Sequence, residues 1–180
     1  SSRSVHTLTL SSGITATGES IEISSTTYYA AGTTVTLGYT GTVSANQIVV
    51  YSVGTEVLSG NSFTMTAADA TVSAEVLTEW EWLNRQFAAA STDSENPTLI
   101  TLDQDYTAQT TDGYLTIPSR HYVTLDLNGH TLNRNLTAAT ANGYVIEVNG
   151  TLTLTDGSAA CTGTITGGSG NNGSGVRVYG

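Results

Sequence analysis

Few side chains able to do chemistry occur in this 180-residue chain, and they are scattered. Asp103-Gln104-Asp105 could set two carboxylates on one side of an extended segment, as a surface calcium site wants. No glycine-spaced series of further ligands follows, so a solvated turn after Leu102 is the expectation. Arg120, Arg134 and Arg177, with His121 and His130, are the basic groups after residue 97. Polysaccharide elimination needs an arginine or lysine base beside calcium-binding carboxylates, and glycoside hydrolysis needs two carboxylates at a set separation. Asp126 stands alone, and Asn128-Gly129-His130-Thr131 lacks the paired aspartates that would make its histidine an acid or base. The residues therefore point to no catalytic group, no metal and no cofactor, with His130 stacked at a corner of the fold. Cys161, between Ala160 and Thr162, is the single cysteine; it excludes an intrachain disulfide and is expected to be a small buried residue. Contact chemistry is better represented. Tyr28, Tyr29 and Tyr106 are aromatic rings in polar stretches, a common way of touching sugars or partner proteins, and they are the candidate contact residues. The alternative is that each packs on its own domain.

The elements that would position these groups follow from composition. Charged residues make up 11% of the chain, against about a quarter in ordinary globular proteins, and Thr, Ser, Gly and Asn replace them. Branching at Cβ suits Thr and Val to pleated backbone while Gly and Asn supply turns, which points to an all-β chain. Five arginines, no lysine and fifteen carboxylates leave a net charge of -10, which repels nucleic acid and anionic lipid. Without lysine no Lys-Asn isopeptide cross-link can form. No apolar run approaches the roughly 18 residues that would mark a membrane span, and Ser1 opens no signal-peptide pattern. A leader and an anchor, for an exported protein, are expected outside this chain.

Residues 1 to 77 read as one domain of short alternating strands. Candidates run over Val5 to Leu10, Ile21 to Ser24, Thr33 to Thr40, Ile48 to Val53, Glu56 to Leu58, Ser62 to Thr66 and Thr71 to Val76. In the third of these Val35, Leu37 and Tyr39 face one way, and Thr34, Thr36 and Gly38 the other. Strands at this density predict an Ig-like β-sandwich. The segment from Ser62 to Ala74 resembles the closing hairpin of small β-sandwich repeat domains found in surface proteins of gut bacteria. Thr66 and Ala70 stand where that family usually has proline and valine.

Residues 78 to 180 read differently. Thr78 followed by Glu81 is a capping box, and Glu79 to Ala90 predicts one helix with Trp80, Leu83, Phe87 and Ala90 on a single face. Beyond Pro97 the strongest internal repeat aligns Leu125 to Leu132 with Ile146 to Thr153, an offset of 21 residues with Asn-Gly recurring at one corner. That spacing predicts one coil of a β-solenoid, with two unrelated Asn-Gly hairpins as the alternative. Thr151 to Thr155 and Thr162 to Thr166 lie 11 residues apart, too close for stacked Thr-x-Thr rows, which argues against ice binding.

The run from Leu115 to Leu132 resembles the first rungs of pectin-lyase-like right-handed parallel β-helix proteins, with Arg120 and His121 where a glycine and a basic residue are more usual. The resemblance implies an amphipathic helix plugging the open end, for which the Trp80, Leu83, Phe87 face fits. Gly-rich corners at Gly167-Gly168 and Gly173, with the sequence stopping at Gly180, imply a truncated β-helix that continues into further rungs. Taken together, these resemblances imply a bacterial, secreted protein, extracellular or attached to the cell wall. The expected role is a non-catalytic adhesin or stalk segment binding a glycan or host surface protein. A parent polysaccharide lyase or glycoside hydrolase is the alternative.

Overall fold

The computed structural model describes residues 4–170 and 175–179, so Gly173 and Gly180 lie outside the described residues. Among the described residues strand is the dominant element and a single short helix interrupts it, in keeping with the composition. The chain divides into two compact units between Leu77 and Thr78, each with its own apolar core.

The first unit contains β1 (Val5–Leu10), β2 (Ile14–Thr17), β3 (Ser20–Ile23), β4 (Thr26–Ala30), β5 (Thr34–Tyr39), β6 (Gln47–Val53), β7 (Glu56–Val57), β8 (Ser62–Thr64) and β9 (Ala70–Thr78). A six-stranded sheet has the order β3-β4-β1-β9-β6-β7, and a three-stranded sheet the order β2-β5-β8. Strand alternation builds the core: Val35 and Leu37 are buried while Thr34 and Thr36 between them are exposed. Tyr29, Tyr51, Met65 and Val72 complete it. One expectation fails here. The stretch from Ser62 to Ala74 is not a hairpin, because β8 pairs antiparallel with β5 in one sheet while β9 runs parallel to β1 in the other. The residues between them, from Met65 to Asp69, cross from sheet to sheet.

In the second unit α1 (Glu79–Ala88) leads into β10 (Thr98–Thr101), β11 (Tyr106–Thr107), β12 (Leu115–Ile117), β13 (Tyr122–Asp126), β14 (Thr131–Asn133), β15 (Ile146–Val148), β16 (Thr151–Thr155), β17 (Thr164–Thr166) and β18 (Val176–Val178). They form three parallel sheets, β10-β13-β16, β11-β14-β17 and β12-β15-β18. Each sheet takes one strand from each of three successive passes of the chain. Inward residues stack in register: Ile100 on Leu125 on Leu154, and Leu115 on Ile146 on Val176. In the middle pass Val123, Leu125, Leu132, Ile146 and Val148 are almost wholly buried.

The separation between stacked residues is not the expected 21. Val123 lies over Leu152, Leu115 over Ile146 and Thr131 over Thr164, separations of 29, 31 and 33 residues. The two Asn-Gly pairs consequently occupy different corners. Asn149-Gly150 stacks on the Pro118 to His121 turn, where a Cβ on Gly150 would come within 2.4 Å of both the Pro118 and His121 carbonyl oxygens. Asn128-Gly129 packs instead beneath the Asp156 to Gly163 bend, its Gly129 N–H bonded to Asp156 Oδ1 at 2.8 Å.

The start of α1 follows the capping pattern: Thr78 Oγ1 accepts the Glu81 N–H at 3.0 Å. Trp80, Leu83 and Phe87 are buried against the aliphatic interior of the passes, with Trp80 Nε1 donating to the Gly113 carbonyl at 2.9 Å. Asn84 reaches the outer edge of β12, where its side-chain oxygen accepts the Thr116 N–H at 2.7 Å. The helix thus buries the apolar end of the first pass and satisfies part of its strand edge.

Candidate functional site

The three candidate tyrosines are placed very differently. Tyr29 points into the core of the first unit and is buried. Tyr106 is buried in the second unit, its phenol donating to Asp103 Oδ1 at 3.0 Å; burial and then that carboxylate push its ionisation well above the usual phenol range. Neither ring leaves much surface for a partner. Tyr28, one residue out of phase with Tyr29, is half-buried on the opposite face of β4. It sits across from Ile21 on β3 and Thr7 on β1, while Ala30 sits across from Val5. That face borders a hollow of about 320 Å³, and a second hollow of about 660 Å³ shares Glu19 and Thr33 with it.

In the second unit polar groups converge where the sequence reading placed none together. Tyr114 and Tyr144, on successive passes, meet in a tilted arrangement with ring centroids 4.6 Å apart and planes at 52°. The Arg177 guanidinium lies over Tyr144 at 5.2 Å and over Tyr179 at 4.2 Å, and Arg134 sits 5.8 Å from Tyr114. Tyr144 donates its phenolic proton to Glu147, which also accepts from Asn149 Nδ2 at 3.0 Å. Those two hydrogen bonds, and the Arg177 charge after them, hold the Glu147 carboxyl below its usual range, while burial first and Glu147 second raise the Tyr144 phenol. Among the described residues Arg134 is the buried cation of this unit; it donates to the Tyr144 carbonyl at 2.8 Å, its Nε meets no partner among them, and burial lowers its ionisation.

The remaining candidates hold the corners. Asp105 Oδ1 accepts the Thr131 N–H at 2.8 Å and lies 3.5 Å from His130 Nδ1, so the Asp103-Gln104-Asp105 carboxylates are engaged separately by the fold. Among the described residues no group of three or more His, Cys, Asp or Glu converges to hold a metal. Asp126 accepts the N–H groups of Asn128 and Gly157, and Asp156 those of Gly129, Ser158 and Gly163. Asn128 and Asn135, both in the left-handed region, pass their side-chain amides to the carbonyls of Leu102 and Ala108 in the pass before. Cys161 is exposed, contrary to expectation: at φ 48° its N–H closes a turn onto the Ser158 carbonyl, and its thiol lies 3.5 Å from the same oxygen. Arg120 is exposed at φ 64°, a left-handed conformation that favours glycine over a residue with a Cβ.

The Tyr114, Tyr144, Arg177 and Tyr179 column could be found from sequence only with the strand pairing in hand, because its members are neighbours through the register that sets Glu147 beside Arg177, 30 residues on. Among the described residues no helix is long and apolar enough to cross a membrane. No protein-family model, curated protein or solved structure matches the chain.

Proposed function

We propose that the chain is a non-catalytic segment of an extracellular or cell-wall-attached surface protein, an adhesin or stalk, that displays a binding surface for a glycan or host protein. In this reading the first unit is an Ig-like β-sandwich, and the second is a right-handed parallel β-helix resembling the pectin-lyase-like fold, capped by α1. The observation that carries the reading is the division of labour in the stacked passes. Aliphatic side chains seal the interior in register, and the carboxylates at the corners are occupied by the backbone N–H groups of the fold itself. A scaffold whose exterior is Thr-rich, with 11% charged residues in the chain, suits display. Probing arrays of glycans and of host extracellular proteins with the chain tests it: specific, saturable binding is expected, and its absence leaves only a spacer role.

One observation favours a second reading, an enzyme that cleaves polysaccharide. Glu147 and Arg177 are cross-strand partners on adjacent passes, a carboxylate and a guanidinium on one face. Release of reducing ends or unsaturated products from acidic polysaccharides, abolished by Arg177→Ala, would establish that reading in place of the first.

A further inference from the structure

We propose that the outer face of β3, β4 and β1 in the first unit is a binding site for a neutral pyranose sugar, with Tyr28 as the stacking platform and Glu19 as acceptor for sugar hydroxyls. The assignment rests on the binding-segment reading above and names its ligand class. Because Tyr29 is buried, alternation turns Tyr28 outward, and the register lines up Ile21, Tyr28 and Thr7 across three strands, with Val5 and Ala30 beside them. The result is a small apolar floor around one aromatic ring, on which Ile21 is 49% exposed.

An apolar floor alone would suit many partners; the rim narrows the choice. Ser20, Thr33 and Thr34 ring the two hollows with hydroxyls, and Glu19 reaches both. Their volumes of about 320 and 660 Å³ fall in the range of small-ligand sites, roughly 300–1,000 Å³. A pyranose presents a C–H face that stacks on an aromatic ring and a girdle of hydroxyls that donate to a carboxylate or exchange bonds with Ser and Thr. Among the described residues lining either hollow, Glu19 is the one ionisable group besides the Tyr28 phenol, and the chain's net charge is -10. Among the described residues lining the hollows no cation offsets that charge, so a sugar carrying its own carboxylate meets like charge and neutral sugars are favoured.

The test is an NMR titration of the full chain with the methyl glycosides of glucose, galactose, mannose and N-acetylglucosamine, with glucuronic acid as the anionic comparison. At least one neutral glycoside should bind in the millimolar range, shifting the signals of Glu19, Ser20 and Tyr28, with glucuronic acid about tenfold weaker. Tyr28→Leu, which keeps an apolar side chain on β4, should weaken binding about tenfold and Glu19→Gln about fivefold, both without moving the unfolding midpoint. Undiminished binding by Tyr28→Leu, equal binding of glucuronic acid, shifts confined to another face, or no shift with any glycoside would each overturn the assignment. Array binding by the full chain that persists in Tyr28→Leu would leave the binding-segment reading standing while this site falls. Failure of the chain to bind any glycan or host protein removes both.

Discussion

Replacing Leu125 and Leu154 by alanine, one at a time, tests the stacked register of the second unit. Both residues occupy the same inward column, Leu125 paired in register with Leu154 on the next pass, yet Leu125 is fully buried in the middle pass and Leu154 is 46% exposed in the last. Leu→Ala removes apolar groups worth about 0.8 kcal/mol per CH₂, so about 2.4 kcal/mol of transfer free energy when burial is complete. Incomplete collapse of the cavity raises the loss at Leu125 to about 3–4 kcal/mol. At Leu154 roughly half the transfer contribution is at stake and no closed cavity forms, leaving about 1 kcal/mol. Both tryptophans, Trp80 and Trp82, lie in α1, so tryptophan fluorescence in urea follows the second unit without interference from the first. With a slope of about 1.5–2 kcal/mol per molar urea, the two midpoints should differ by roughly 1–2 M. Equal losses at the two positions, or a loss below about 1 kcal/mol at Leu125, would refute the layered burial on which the argument stands.

Other perturbations probe the corners and the helix. Arg120→Gly removes a side chain held at φ 64° and should raise the fluorescence-detected urea midpoint, by about 0.5–1 kcal/mol of added stability. Thr78→Ala deletes the hydroxyl that caps α1 and should lower stability by about 1 kcal/mol, with Thr78→Ser recovering most of it in the same assay. The Asp156 carboxyl is held below the usual carboxylate range, first by the hydrogen bond from Ser158 Oγ and then by that from the Gly163 N–H. A lowered folded-state value means its contribution is complete above the unfolded-state value and is lost as pH falls through the folded one. The difference in Tm between wild type and Asp156→Asn, measured from pH 6 to pH 2, should therefore shrink on the acid side, and a difference that grows there would contradict the hydrogen-bonding scheme.

The all-β class and the single helix were legible because they depend on local chemistry. Thr78 and Glu81 announce a helix start wherever they stand, and alternation at Val35 and Leu37 declares one buried face. Short strands such as β2 and β14 escaped notice, since four or three residues carry too little alternation to stand out from turns. The 21-residue offset was misleading for a physical reason. Asn-Gly marks any bend that needs the left-handed region, so two such pairs need not occupy one corner. The links between strands also vary in length, and no single period exists for a fixed offset to find. Residue type alone misplaces Cys161, because it closes a tight positive-φ turn at the surface rather than standing on an inward strand position. The Tyr28 hollow depended on knowing which strands lie beside β4, and that pairing joins β1 to β4 across two intervening strands.

The uneven links have a practical consequence. From Asp126 to Thr131 the chain rounds its bend in four residues, and one pass later the equivalent bend from Thr155 to Thr164 uses eight, yet β14 and β17 still pair in register. Wall and bend are therefore separable parts. The exposed Ala159 and Ala160, at the tip of the longer bend, mark a place where a foreign peptide could be spliced in as a cassette while the strands on either side keep their partners.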